Sequence, residues 1–148
     1  MKILVSLACL ALAVIACAHS AAALGTATVQ KVDKPIDTYN NVRIVFQPKK
    51  ALLITSADGQ GTLIIDKAAC SYVGDIQTCL PTSVKLKQNG TVSPIDILKG
   101  TVYANLTGQS QPLSNSSMRL PPNGILMSVT TKIGTIINVT GVIDTVTK

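Results

Sequence analysis

The sequence predicts an all-β fold, a single antiparallel β-sandwich or small barrel of about eight or nine short strands. Runs rich in Ile, Val and Thr are separated by Gly, Pro and Asn at intervals of about eight to twelve residues. These β-branched residues favour pleated, half-buried surfaces. No segment repeats its apolar residues with the period of a helix. We therefore expect strands and turns throughout the mature domain.

The first two predicted strands precede residue 48. Thr26–Val32 alternates between apolar and polar residues, which is typical of a strand with one covered face. Val42, Ile44 and Phe46 are two residues apart, and Arg43 lies on the opposite face. The second strand is therefore predicted to bury its three apolar side chains.

A Gly-rich turn over residues 57–61 indicates a hairpin between Ala51–Thr55 and Thr62–Asp66. The uninterrupted apolar run Ala51–Thr55 is typical of a strand covered on both faces. The next segment, Lys67–Leu80, has no clean period. This segment contains Cys70 and Cys79.

Asn89-Gly90 lies between two alternating runs, Ser83–Lys87 and Thr91–Leu98. An Asn-Gly pair in this setting is the strongest short-range signal of a β-hairpin. Pro94 lies within the returning run, and proline cannot donate a hydrogen bond to a neighbouring strand. The returning strand is therefore predicted to lie at a sheet edge or to carry a bulge.

The last third of the chain is predicted to contain one strand, a long loop and a final hairpin. Gly100–Leu106 forms the strand, and Gly108–Asn123, rich in Ser, Gln and Pro, forms the loop. Ile125–Thr131 and Thr135–Thr145 form the hairpin. Gly141 interrupts the inner face of its second strand, which indicates a bulge.

Residues 1–23 have the three-part pattern of a secretory signal peptide. Lys2 supplies the positive charge, Ile3–Ala16 is an apolar run too short for a comfortable membrane span, and small residues up to Ala23 supply a cleavage site. We expect an exported protein, secreted or periplasmic, whose single mature β domain comprises residues 24–148.

A second interpretation of the leader rests on Val14–Cys17, which resembles the bacterial lipoprotein box. The resemblance implies a signal over residues 1–16, a lipidated Cys17 and a membrane-anchored domain. Several acyl chains would hold the domain firmly, at about 0.8 kcal/mol for each buried methylene. The alternative is that Cys17 is only a small apolar member of the signal.

The predicted mature chain is basic, because without Lys2 twelve Lys and Arg residues face seven Asp residues, a net charge of +5. The positive charges are dispersed, so they favour anionic envelope or surface components as partners, or serve solubility and the protection of sheet edges. Only Arg43 and Arg119 could read bases bidentately, and aromatic residues are few. Nucleic acid is not expected as a partner, and a membrane is expected only through the signal or a lipid anchor.

Cys70 and Cys79 are the two cysteines of the predicted mature domain, and eight residues separate them. In an exported protein such a pair is expected to form a disulfide. A ring of about ten residues contributes roughly 2.7 kcal/mol in the loop-entropy description. No metal site and no cofactor are predicted, because the chain's one histidine, His19, lies in the leader or tether.

No catalytic motif is present in the sequence. Glu is absent, and the seven carboxylates besides the chain terminus are all Asp. A hydrolase that uses two paired Asp residues requires the fold to bring them together, which no spacing indicates. We therefore expect a protein that is not an enzyme.

Four Asn-X-Ser/Thr triplets occur, at Asn89, Asn105, Asn115 and Asn138. In a eukaryotic secretory chain they would be acceptors for surface glycans. Alternatively, a Thr-rich β protein places Asn and Thr in turns and on outward strand positions. The sequence supports both interpretations.

The sequence leaves three hypotheses about function. The first is a non-catalytic surface or envelope protein that binds or assembles through its faces and the Gly108–Asn123 loop. The second is a carrier of a lipid or another small apolar ligand, since aliphatic, aromatic-poor strands could line a cavity. The third is the hydrolase with paired Asp residues.

Overall fold

A computed structural model describes residues 25–47, 51–55, 61–114 and 116–146. These ranges contain the following strands: β1 Gly25–Gln30, β2 Asp37–Gln47, β3 Ala51–Thr55, β4 Thr62–Val73, β5 Ile76–Gln88, β6 Thr91–Ile95, β7 Ile97–Asn105, β8 Gln111–Pro112, β9 Arg119–Leu120, β10 Gly124–Thr131, β11 Ile136–Val142 and β12 Thr145–Val146. The described ranges contain no helix long and apolar enough to cross a membrane.

The strands form one curled antiparallel sheet and a small second sheet of β8 and β9. The order in the large sheet is β1-β11-β10-β7-β5-β4-β3-β2, with the short β12 parallel to β2. β1 pairs with β11 on one side and with β2 on the other, so hydrogen bonds join the two ends of this order. The predicted all-β, antiparallel fold class is confirmed.

The concave face of the sheet holds the main hydrophobic core. Val42, Ile44 and Phe46 of β2 are all buried, as their two-residue spacing predicts. Alternating positions of β10 behave in the same way, because Ile125 and Met127 point into the same core. Each fully buried aliphatic side chain contributes about 1.5–3 kcal/mol relative to exposure.

The Asn-Gly hairpin is confirmed. Gln88 of β5 is opposite Thr91 of β6, so the connection consists of two residues, Asn89 and Gly90. Their φ angles are 50° and 78°, the two positive values that a type I′ turn requires. β6 pairs with β5 and lies off the main path of the sheet, which confirms the edge position predicted from Pro94.

Lys67–Leu80, which has no clean period in the sequence, forms regular strands in the structure. β4 and β5 continue through it as a long hairpin that turns at Gly74 and Asp75, between Val73 and Ile76. The register shifts on both sides of Lys67, which breaks the alternation that would have indicated a strand. Beyond this bulge the β4 residues are exposed, so they lack the apolar pattern of a buried strand.

The Gly108–Asn123 segment is only partly a loop, since it contains β8 and β9. It covers a second hydrophobic cluster, in which Leu113 and Leu120 pack with Ile76. Tyr103 of β7 and Leu126 of β10 are half-buried against the same cluster. This segment is therefore packed against the outer face of the curled sheet.

β1, β2 and β11 come closest together at Gly25 and Gly141. A Cβ atom at Gly25 would lie 2.7 Å from the carbonyl oxygen of Thr140. A Cβ atom at Gly141 would overlap the Cα atom of Gly25 and lie 3.2 Å from Cδ1 of Ile44. Close backbone contact therefore explains the glycine at position 141 of β11. The sequence indicated a bulge at Gly141. The register shift lies instead in the pairing of β1 with β2, between Gly25 and Ala27.

Candidate functional site: an apolar cavity at one end of the sheet

A cavity of about 400 Å³ opens at the end of the curled sheet where β1 ends, β2 begins and the β10–β11 hairpin turns. Strands distant in the sequence supply its walls, because the curl of the sheet brings their ends together. The lining residues are Ala27, Val29, Lys31, Tyr39, Val42, Gly61, Leu63, Leu86, Gln88, Ile95, Thr131, Ile133, Thr135, Ile137 and Val139.

The floor of the cavity is apolar. Ala27, Val42, Leu63 and Val139 line it and also belong to the buried core. They come from four different strands, each facing inward through the two-residue alternation of its own strand. The floor therefore continues the main core and offers a ligand aliphatic contacts.

The mouth of the cavity is more polar. Lys31, Tyr39, Gln88 and Ile133 line the cavity and are exposed. Among the described lining residues Lys31 is the one that carries a charge, and no Asp is among them. The site is therefore apolar inside and carries one positive charge at its opening.

Hydrogen bonds hold the β10–β11 turn at the mouth in a defined shape. The backbone N–H groups of Thr131 and Gly134 donate to the carbonyl oxygens of Thr135 and Thr131, at 2.9 and 3.0 Å. The N–H group of Thr135 donates to the hydroxyl oxygen of Thr131 at 3.0 Å. Gly134 has a φ of 87°, a value that glycine adopts without steric cost. This turn leaves the side chain of Ile133 82% exposed beside the opening.

Cys70 and Cys79 face each other across β4 and β5, with their sulfur atoms at the disulfide distance of 2.10 Å. The predicted pairing of Cys70 with Cys79 is confirmed as a pair at disulfide distance. Cys79 belongs to the main core, whereas Cys70 is exposed. Neither residue lines the cavity, so the pair fastens the long hairpin and is not part of the candidate site.

Two of the carboxylates form ion pairs away from the cavity. Oδ2 of Asp144 accepts a hydrogen bond from Nε of Arg43 at 2.7 Å, and Oδ2 of Asp66 lies 2.8 Å from Nζ of Lys85. The hydrogen bond from Lys85 holds the pKa of Asp66 below its ordinary value, and one from Ser83 acts in the same direction. Asp66 is therefore stabilised as an anion.

The described residues contain no group of three His, Cys, Asp or Glu side chains that could hold a metal ion. Asp58 lies outside these residues. The other six Asp residues are described, and none lines the cavity. A reaction in this cavity would therefore find no described carboxylate on its walls.

Three of the predicted glycan acceptors differ in environment, and Asn115 lies outside the described residues. Asn89 is in the exposed turn between β5 and β6, and Asn138 is exposed on β11. Asn105 is fully buried. Glycosylation of any of the four stays a prediction.

The amide of Asn105 is fully engaged in hydrogen bonds. Its Nδ2 atom lies 2.7, 3.1 and 3.0 Å from the carbonyl oxygens of Gln109, Leu120 and Pro121, so its two N–H groups serve three acceptors and one N–H is shared. Its Oδ1 atom accepts from the backbone N–H and the hydroxyl of Thr107 at 3.0 and 2.6 Å. Asn105 therefore fixes the start and the end of the segment that contains β8 and β9.

The predicted signal over residues 1–23 and the predicted lipidation at Cys17 lie outside the described residues, as does the turn predicted over residues 57–60. None of the residues that line the cavity is predicted as a site residue from the sequence. The available signal was weak, since each is an ordinary inward-facing or strand-end residue of a short strand.

No protein-family model, no curated protein and no solved structure matches this chain.

Proposed function

We propose that this protein is an exported, non-catalytic binding protein that holds a small apolar molecule in the cavity at the end of its sheet. The observation that carries the proposal is the cavity itself, about 400 Å³ in volume with an aliphatic floor. Its size lies within the range of natural ligand sites, about 300–1,000 Å³. Export is inferred from the signal pattern of residues 1–23.

The cavity is large enough for a sizeable apolar group. An apolar cavity of about 150 Å³ binds benzene, so this one accommodates a group roughly two to three times larger. Burial of about ten methylenes would contribute roughly 8 kcal/mol, of which association consumes at least about 4 kcal/mol. The net gain of at most about 4 kcal/mol corresponds to a dissociation constant of about 1 mM or weaker for contacts with the apolar floor alone.

Binding without catalysis is supported by the positions of the ionisable groups. Asp66 and Asp144 are each held by a cation, and the described Asp residues lie off the cavity wall. General acid–base chemistry most often uses a histidine or a carboxylate within reach of the ligand, and no described lining residue is of either kind. The walls offer hydroxyl, amide and ammonium groups instead, which suit orientation of a ligand.

The first test is native mass spectrometry of the mature protein, together with titration by an uncharged fluorescent probe. A co-purifying apolar molecule, or saturable binding of the probe, is expected. Leu86→Trp enlarges a half-buried side chain on the cavity wall, and it should weaken binding at least about tenfold by filling the site.

Leu98→Trp is the matched control, because Leu98 is 68% exposed and does not line the cavity. This variant should bind the probe like the wild type. Absence of probe binding by the folded wild type would contradict the proposal, as would equal binding by the two Trp variants.

A further inference from the structure

The cavity separates its polar and apolar groups by depth. Ala27, Val42 and Leu63 are buried at the floor, whereas Lys31 and Tyr39 are exposed at the mouth. A purely apolar ligand would use the floor and leave the ammonium group of Lys31 without a role. A molecule with an apolar chain and a polar head would match both regions.

The charge at the mouth determines which head group fits. Lys31 lies in the loop after β1, and no described carboxylate is within ion-pair distance of it. Asp33 and Lys34 follow in the same loop, but neither lines the cavity. An anionic head would be attracted to Lys31, and a cationic head would be repelled by it.

We propose that the ligand is a single-chain amphiphile with an anionic head, of which a fatty-acid carboxylate is the simplest example. This inference rests on the proposed function of the cavity. The aliphatic chain occupies the floor, and the carboxylate lies at the mouth beside Lys31, within the polar surroundings that Tyr39 and Gln88 provide. An alkyl phosphate presents the same charge and is a second member of the class.

The volume sets the length of the chain. If six carbons of benzene occupy about 150 Å³, then about 400 Å³ takes roughly twelve to sixteen carbons. Dodecanoate is therefore a suitable probe. Dodecanol and dodecyltrimethylammonium have the same chain with a neutral and a cationic head, so they isolate the contribution of charge.

The experiment measures the displacement of an uncharged fluorescent probe from the mature protein by each of these three compounds, below their aggregation concentrations. Dodecanoate should bind more tightly than dodecanol, and dodecyltrimethylammonium should bind most weakly. Because Lys31 is exposed and its charge is screened, Lys31→Gln should weaken dodecanoate binding about two- to fivefold. The same variant should leave dodecanol binding unchanged.

Lys34→Gln is the matched control, since it removes a neighbouring positive charge that does not line the cavity. It should leave the preference for dodecanoate intact, and higher salt should reduce that preference in the wild type. Equal affinity of the wild type for dodecanoate and dodecanol would overturn the inference while the proposed function stands. Equal losses in the two Lys variants would also overturn it. Failure of all three compounds to bind would contradict the proposed function itself.

Discussion

Asn105 and Asn138 have the same sequence context, an Asn two residues before a Thr, but opposite environments. The buried amide of Asn105 has five hydrogen-bonding partner atoms, whereas Asn138 is exposed on β11. Asn89 has a third role, because it occupies a position of positive φ in a turn. The described triplets therefore occur in three separate structural settings, and glycosylation stays a prediction for each of them.

Replacement of Asn105 by Ala should destabilise the protein by about 2–4 kcal/mol. It removes the amide partner of the carbonyl oxygen of Leu120 and of the N–H group of Thr107. The carbonyl oxygen of Pro121 keeps its hydrogen bond from the N–H group of Gly124 at 2.8 Å. The measurement is urea denaturation of unglycosylated protein. Asn138→Ala, at an exposed position, should change stability by no more than about 0.5 kcal/mol. Similar losses in the two variants would show that the buried hydrogen bonds contribute little.

The two hairpins that share β5 show which elements could be predicted from the sequence. The β5–β6 hairpin could be predicted because Asn89-Gly90 specifies its turn locally and the flanking residues alternate. The outer half of the β4–β5 hairpin could not, because the bulge at Lys67 shifts the alternation and the strand beyond it is exposed. Its turn at Gly74-Asp75 is also a weaker signal than Asn-Gly. Pattern reasoning detects strands that bury an apolar face. The β4 half of this segment is exposed, and in the β5 half the polar Gln77 is buried, which breaks the apolar alternation.

The positive φ of Gly90 leads to a prediction for the β5–β6 hairpin. An added Cβ would meet no atom within 4 Å, so Gly90→Ala tests backbone conformation alone. At a φ of 78° the variant should lose about 1–2 kcal/mol of stability. Gly108 also has open space around it but lacks a positive φ, so Gly108→Ala should have little effect. Thermal denaturation compares the two variants, and equal midpoints would contradict a type I′ turn.

The cavity depends on the entire chain, which explains why the sequence did not reveal it. Lys31 and Ile133 meet at its mouth because β1 lies beside β11 in the sheet. No local pattern specifies which strand ends become neighbours. The aliphatic character of the strands allowed a cavity as a hypothesis, but its position and the lysine at its opening follow only from the three-dimensional pairing.

The contact between β1 and β11 can be tested at Gly141. Gly141→Ala places a Cβ atom against the backbone of Gly25, which cannot move without disturbing the β1 pairings. A loss of about 1–3 kcal/mol is expected in urea denaturation. Gly100→Ala is the control: its Cβ would lie 3.1 Å from a side-chain carbon of Val129, a longer approach than the one to the backbone of Gly25 at Gly141. The control should lose less stability, and an equal loss would contradict tight contact at Gly141.

The pairing of β1 with β11 also has a consequence for the time course of folding. Thr26 lies opposite Thr140, so strands from the two ends of the chain must find each other before the sheet is complete. Contacts between distant segments form slowly, because the intervening chain must be ordered first. A chain that emerges with its amino terminus first would hold β1 without its second neighbour until residues 136–142 had followed. The β4–β5 and β5–β6 hairpins each join strands that are consecutive in the sequence. We therefore expect these hairpins to form early and the cavity, which needs both β1 and β11, to appear last.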